Sequence, residues 1–156
     1  MRLTILAVGK ARRDPLTAVV DDYAKRLSSG PIGPLTVREI DVSRAPTADQ
    51  RKAQEAGGLL GAIDPAARVV ALDEHGRDLG SVGIARLLGD WRDDGVSAIA
   101  CIIGGPDGLD PAVTARADRV LAFGRATWPH LMVRAMLAEQ LYRAAKILEG
   151  HPYHRA

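Results

Sequence analysis

A glycine-rich turn at residues 104–108 is the most informative chemical feature of the sequence. It has the sequence Gly-Gly-Pro-Asp-Gly and follows an uninterrupted apolar segment. The first two glycines would let a ligand come close to the backbone because no Cβ stands in the way. Pro-Asp-Gly then favours a sharp reversal of the chain. Exposed backbone N–H and C=O groups at such a turn can bind an adenine edge or a carboxylate, and a plain tight turn is the equally good alternative.

The end of the chain combines side chains that transfer protons, stack on bases and contact phosphates. The segment His151-Pro152-Tyr153-His154-Arg155 contains two imidazoles, a phenol and a guanidinium. The formal net charge is only +2, but from residue 125 onward the sequence contains five Lys and Arg residues and only two acidic ones. This local basic character favours contact with nucleic acid, and a solvated helix face is the alternative.

Other common ligand sites are excluded or disfavoured. The sequence has no G-x-x-x-x-G-K-[ST] segment, which excludes a Walker phosphate loop, and no G-x-G-x-x-G after its first apolar segment, which disfavours NAD. His151 and His154 are three positions apart, but no further ligands accompany them, so we expect no metal site. The lone cysteine, Cys101, is expected to be a buried, reduced thiol.

These residues need a scaffold, and strand-like and helix-like segments alternate along the chain. Asp14, followed by Pro15, and Ser81 are expected helix N-caps. The alternation predicts an α/β fold with a parallel sheet covered by helices on both faces, in a single domain over residues 1–156. Ligands bind such sheets at the carboxyl ends of the strands, where residues 72–76, 104–108 and 123–128 fall. The predicted strands are 2–8, 35–42, 68–72, 98–103 and 119–123, and the predicted helices are 14–27, 47–63, 81–91, 111–117 and 129–149.

The last predicted helix has apolar residues on two sides. The sheet would cover one side, and we expect a second subunit to cover the other, which predicts a homodimer; a helix sandwiched within its own chain is the alternative. Arg134 lies at the edge of the main stripe, where it is either a phosphate or carboxylate clamp or an internally paired or snorkelling side chain. The main stripe is Val133, Leu137, Leu141, Ala144, Ala145 and Leu148, and the opposite side has Met132, Met136 and Ile147.

No segment predicts insertion into a membrane. The longest purely apolar runs have about six residues, well short of the ~20 that span a bilayer. The first residues faintly resemble a signal peptide, but their apolar stretch at 3–8 is too short and cations follow it. We therefore expect a cytoplasmic protein without a membrane partner.

Several of these motifs together resemble one known family. They are the start Met-Arg-Leu…Ala-Val-Gly, Leu72-Asp73, the segment 103–108 and Thr127-Trp128-Pro129-His130, followed by Val133-Arg134, Glu139-Gln140-Leu141-Tyr142-Arg143-Ala144 and the terminal His-Pro-Tyr-His-Arg. The chain is similar over its full length to the bacterial SPOUT methyltransferases of the RlmH type, which methylate N3 of a pseudouridine in 23S ribosomal RNA. Family members often have Leu or Ser where this chain has Phe123-Gly124-Arg125.

The resemblance implies a trefoil knot in the C-terminal part of an α/β SPOUT fold and a homodimer. It also implies a site for S-adenosylmethionine, closed by the C-terminal tail of the same or of the other subunit. The assembled ribosome would supply much of the recognition of ribosomal RNA. The residues implied to bind the cofactor are Leu72, Gly104, Gly105, Phe123, Gly124, Arg125, Ala126, Thr127 and Trp128.

The same resemblance suggests roles in catalysis and RNA binding. His154 or Tyr153 would act as the general base, with Arg155 stabilising the developing charge. Arg134, His130 and Arg155 would contact RNA.

Three alternative functions remain open at this point. They are a SPOUT enzyme acting on transfer RNA, a non-catalytic ribosome- or nucleotide-binding module, and a flavodoxin-like FMN protein, which the first loop disfavours.

Overall fold

The computed structural model describes residues 1–11 and 14–154, the last of these without its side chain. Five parallel strands form one sheet in the order β2-β1-β4-β3-β5. The strands are β1 (Arg2–Val8), β2 (Leu35–Ile40), β3 (Arg68–Asp78), β4 (Ala98–Ile103) and β5 (Arg119–Ala122). The helices are α1 (Pro15–Arg26), α2 (Ala48–Gly61), α3 (Ser81–Asp93), α4 (Pro111–Arg116) and α5 (His130–Leu148), followed by the short 3-10 helix η1 (Pro152–His154).

Both faces of the sheet are covered, which confirms the predicted α/β architecture. Every residue of β4 is buried, because successive side chains point to opposite faces and both faces carry helices. Ile99, Cys101 and Ile103 pack with α1, α3 and α5 on one face. The other residues of β4 pack with α2 and α4 on the opposite face.

The helices begin largely where their local chemistry directs. Asp14 caps α1 by accepting a hydrogen bond from the backbone N–H of Leu16 at 2.8 Å, as predicted. Thr47 and Gln50 form a reciprocal capping box at the start of α2. The prediction for α3 was wrong: Gly80 is its N-cap, without a side-chain hydrogen bond, and Ser81 is already the first helical residue.

Three strands differ from their predicted lengths, and the smallest difference is in β5, which ends at Ala122 instead of residue 123. β3 continues to Asp78 instead of ending at Leu72, because its register against β5 shifts between Leu72 and Arg77. A Cβ at Gly76 would lie 2.6 Å from the backbone of Leu121, so the irregular segment approaches β5 too closely for a side chain. β2 ends at Ile40 rather than at residue 42, and Val37 is 37% exposed because this edge strand is only partly covered.

None of the described helices is long and apolar enough to cross a membrane.

The burial of Cys101 leads to a test of the packing. The side chain is 1% exposed, and burial raises the pKa of the thiol to about 12. Since the thiolate is the reactive form, iodoacetamide at mildly alkaline pH should leave the native protein unmodified and should label the chain once guanidinium unfolds it. Mass spectrometry of both samples checks this, and complete labelling of the native protein would contradict the central position of β4.

Candidate functional site

A cavity of about 640 Å³ lies at the carboxyl ends of β4 and β5 and beside residues 72–75 of β3, where β3 ends its pairing with β4. The start of α5 closes one side of it. This is the edge where parallel sheets bind ligands, as the sequence predicted. Its walls are formed by residues 72–75, 103–109, 121–124, 126–130 and 133.

The glycine turn after β4 forms one wall, but its glycines are needed for a different reason from the one the sequence suggested. A Cβ at Gly104 would lie 2.9 Å from the backbone of Gly108. A Cβ at Gly105 would lie 2.9 Å from Glu55 Oε2 and 3.0 Å from Val8. The space that a side chain would need is therefore occupied by the protein itself. The turn is closed by a 3.0 Å hydrogen bond from the Gly108 N–H to the Gly105 carbonyl.

An ion pair fixes the far end of this turn. Arg51 of α2 binds Asp107 through two hydrogen bonds, from Nε at 2.7 Å and from Nη2 at 2.9 Å. The hydrogen bond from Arg51 lowers the pKa of Asp107, so this carboxyl stays ionised over the physiological range. Sequence reasoning missed Arg51, because nothing local to α2 indicates a partner 56 residues away.

The loop after β5 forms the opposite wall and is held by its own side chains. Trp128 Nε1 donates to the Phe123 carbonyl at 2.9 Å, and Thr127 Oγ1 donates to Glu74 Oε2 at 2.9 Å. Gly124 has φ +81°, a left-handed conformation that favours glycine. Arg125 is exposed and is the one predicted cofactor residue that does not line the cavity.

His130 lies on the cavity wall at the start of α5. Burial, reinforced by the positive charge of Arg134, lowers the pKa of this imidazole, although Asp14 acts in the opposite direction. The ring is therefore neutral at physiological pH. A neutral imidazole donates one hydrogen bond and accepts another, but it attracts a phosphate only weakly.

Arg134 points into the protein rather than toward a surface that RNA can reach. Its side chain is 3% exposed and pairs with Glu39 Oε1 at 2.8 Å. Nη2 also donates to the carbonyls of Val8 at 2.9 Å and Gly9 at 2.7 Å. Of the two alternatives from the sequence, the structure has the internal salt bridge. This placement speaks against the predicted RNA contact.

Tyr153 does not line the cavity of its own chain, which adjoins the start of α5. It follows the end of that helix, and the tail folds back along it as far as Glu139. Its ring packs edge-on against Tyr142, with centroids 4.9 Å apart, and its hydroxyl lies 3.5 Å from Glu139 Oε1. Burial raises its pKa to about 12. The His154 side chain and Arg155, both predicted to be catalytic, lie outside the described residues.

The described residues offer no evident place for a metal ion, since no three His, Cys, Asp or Glu side chains within them lie close enough to share one.

Comparison with known proteins identifies the family. The family model described as "Predicted SPOUT methyltransferase" matches residues 1–154. The chain belongs to the SPOUT methyltransferases. A ribosomal RNA large subunit methyltransferase H from Paramagnetospirillum magneticum is 52% identical to it over 155 residues, covering 99% of each protein. The protein of the same name from Rhodospirillum centenum is 50% identical over 156 residues and covers 100% of each.

Solved structures agree with the SPOUT fold. A probable methyltransferase from Bordetella pertussis has a TM-score of 0.57 at 18% identity, covering 92% of this chain and 96% of its own. The SpoU methyltransferase AviRb from Streptomyces viridochromogenes, crystallised with AdoMet, has a TM-score of 0.50 at 13% identity. The alignment covers 96% of this chain and 59% of AviRb. Likeness at this level of identity supports the fold alone.

SPOUT methyltransferases use S-adenosylmethionine, and the cavity suits this molecule. Its volume is within the roughly 300–1,000 Å³ typical of small-molecule sites. Apolar walls such as Leu72 and Phe123 suit a flat adenine, backbone groups of the glycine turn suit its polar edge, and Asp73 and Glu74 suit a cationic group. All the predicted cofactor residues except Arg125 line this space, and their part in binding stays a prediction.

The packing behind Gly104 leads to a test of the site. Gly104→Ala would place a methyl group 2.9 Å from the backbone of Gly108, which cannot move aside as a flexible side chain can, and overpacking of about 1–3 kcal/mol would displace the turn. We expect the affinity for S-adenosylmethionine, measured by calorimetry, to fall about tenfold or more. Gly57→Ala is the matched control, since nothing lies within 4 Å of its added Cβ. It should keep the wild-type affinity; equal affinity in the Gly104 variant would contradict the role of the turn.

Proposed function

We propose that the protein transfers a methyl group from S-adenosylmethionine to N3 of a pseudouridine in 23S ribosomal RNA within the assembled ribosome. The observation that carries this proposal is its 52% identity, over 99% of both proteins, to a ribosomal RNA large subunit methyltransferase H. The cavity at the strand ends supports it independently. We further propose that the chain is one domain, that its C-terminal part forms a trefoil knot, and that it works in the cytoplasm.

The proposed reaction needs residues that position the target nitrogen and a base that accepts its proton. Bound S-adenosylmethionine supplies an already electrophilic methyl group, so the enzyme mainly holds the target nitrogen in line with it. That nitrogen carries a proton that must be accepted by a base. With a pKa raised to about 12, Tyr153 keeps its own proton at neutral pH and donates rather than accepts. This favours His154 as the base.

A homodimer would bring the tail to a cavity. Each chain has its cavity near the start of α5, and Tyr153 of its tail packs on Tyr142 and Glu139 of the same helix without lining that cavity. Two copies with antiparallel α5 helices would place the tail of one beside the cavity of the other. Met132, on the outer side of α5, is 37% exposed, which supports an interface there.

Aromatic packing gives the tail a defined direction as it leaves α5. Tyr142 stands between Tyr23, with ring centroids 5.7 Å apart, and Tyr153. The Arg143 guanidinium lies 5.2 Å from the Tyr153 ring, and Arg143 is itself paired with Glu139 at 2.7 Å. Rings from α1 and α5 thus hold the tail where a partner subunit could meet it.

The choice of RNA is tested with purified substrates. The enzyme, radiolabelled S-adenosylmethionine and either assembled ribosomes lacking the modification or bulk transfer RNA are incubated together. We expect label in 23S RNA only, at one pseudouridine, located by mass spectrometry of RNA fragments. Label in transfer RNA alone would replace the substrate, and no label in any RNA despite cofactor binding would favour a non-catalytic module.

The origin of the tail is tested by mixing two inactive variants. His154→Ala should lose about 100-fold in turnover, because it lacks the base, while retaining cofactor affinity. Gly104→Ala should bind the cofactor about tenfold more weakly or worse, so its own cavity stays largely empty when the cofactor is supplied near the wild-type dissociation constant. After unfolding and refolding together, mixed dimers would pair an intact cavity with the partner's intact tail, restoring about a quarter of the wild-type activity. A mixture no more active than its parts would mean that the tail serves its own chain, and full activity of His154→Ala would remove it from the mechanism.

A further inference from the structure

One face of α2 holds two separate loops at the cavity edge. Arg51 uses Nε and Nη2 for Asp107 in the glycine turn and Nη1 for the carbonyls of Ala45 at 3.1 Å and Pro46 at 3.2 Å. The latter two residues belong to the β2–α2 loop, residues 41–47. The guanidinium therefore ties this loop to the turn, and its side chain is only 29% exposed.

Glu55 lies one helical turn further along and joins the same two segments. It is 3% exposed. Its Oε1 accepts a hydrogen bond from the Ser43 N–H at 3.0 Å, while Oε2 has no hydrogen-bond partner among the described residues and lies against Gly105. Positions four apart share one side of a helix, so Arg51 and Glu55 support the turn together.

The β2–α2 loop is itself well ordered by local hydrogen bonds. Ser43 Oγ lies 2.6 Å from Gln54 Oε1 and accepts from the Ala45 N–H at 3.1 Å. The loop is tied to α2, because the carbonyls of Ala45 and Pro46 accept hydrogen bonds from Arg51 and the Ser43 N–H donates to Glu55. A displacement of the loop would pass through the Arg51 guanidinium to Asp107 and the turn.

We propose that Arg51 is a positioning residue for S-adenosylmethionine: by gripping Asp107 it holds the glycine turn in its binding shape and joins that shape to the β2–α2 loop. This inference rests on the proposed function, since it requires the cofactor to bind against the turn. Arg51 does not itself line the cavity, so it acts through Asp107.

Losing the positive charge of Arg51 and losing its hydrogen bonds to Asp107 should change the affinity for S-adenosylmethionine in opposite directions, which makes the role testable. S-adenosylmethionine carries a net positive charge. Removing the positive charge of Arg51 would make the cavity more negative and, on Coulombic grounds alone, would favour binding. Loss of the grip on Asp107 would weaken binding instead, so the sign of the change separates the two effects.

The experiment is a double-mutant cycle on the full chain, read by calorimetry with S-adenosylmethionine. We expect Arg51→Met and Asp107→Asn each to weaken binding about tenfold, and the double variant to be no weaker than either one. In steady-state assays on ribosomes the KM for S-adenosylmethionine should rise by a similar factor, while kcat at saturation stays within about twofold.

Two further variants guard against a general loss of structure. Arg51→Lys keeps the charge but lacks the two-pronged geometry, and it should remain folded and bind about threefold more weakly than wild type. Arg68→Met, which breaks a 2.7 Å ion pair with Asp118 away from the cavity, should bind like wild type. Unchanged or tighter binding in the Arg51 variants, or fully additive losses in the double variant, would overturn the inference. Absence of binding by the wild type would instead overturn the proposed function.

Discussion

A buried guanidinium that must find partners organises the carboxyl edge of the sheet. Arg134 enters from α5 and meets Glu39 of β2 and the carbonyls at the end of β1. An unpaired charge there would be strongly destabilising, so the start of α5 is held against the strand ends. This contact sets where Pro129 and His130 stand, and with them one wall of the cavity. Arg134, which the sequence alone presents as a possible phosphate ligand, thus connects α5 to the sheet.

The central strands and most helix starts were predictable because their causes are local. β1 and β4 have the expected bounds, since their apolar runs match burial on both faces. Asp14 with Pro15 marks the start of α1 in the sequence alone. The extension of β3 beyond Leu72 was not predictable, because the polar residues that follow pair with β5 only after a register shift set by tertiary packing. The exposure of Val37 likewise depends on how far the helices reach over an edge strand.

The candidate site was also predictable only in part. Its location followed from the rule for parallel sheets, and the glycine turn and the loop 123–128, apart from Arg125, do line the cavity. Their supports were invisible in the sequence. Arg51 and Glu55 are ordinary charged residues of an amphipathic helix until the fold brings Asp107 and Gly105 beside them. The position of Tyr153 outside the lining of its own cavity was also hidden, because sequence order does not show which end of a helix a loop will meet.

The length of α5 has a consequence for how activity arises. A newly synthesised chain has the candidate cofactor cavity at one end of its longest helix and the start of the tail at the other. With the tail supplied in trans, a lone copy would be incomplete, and modification would begin only after two copies met. At protein concentrations below the dissociation constant of such a dimer, the rate of methylation would scale with the square of the amount of protein, so that halving expression would cost more than half of the product.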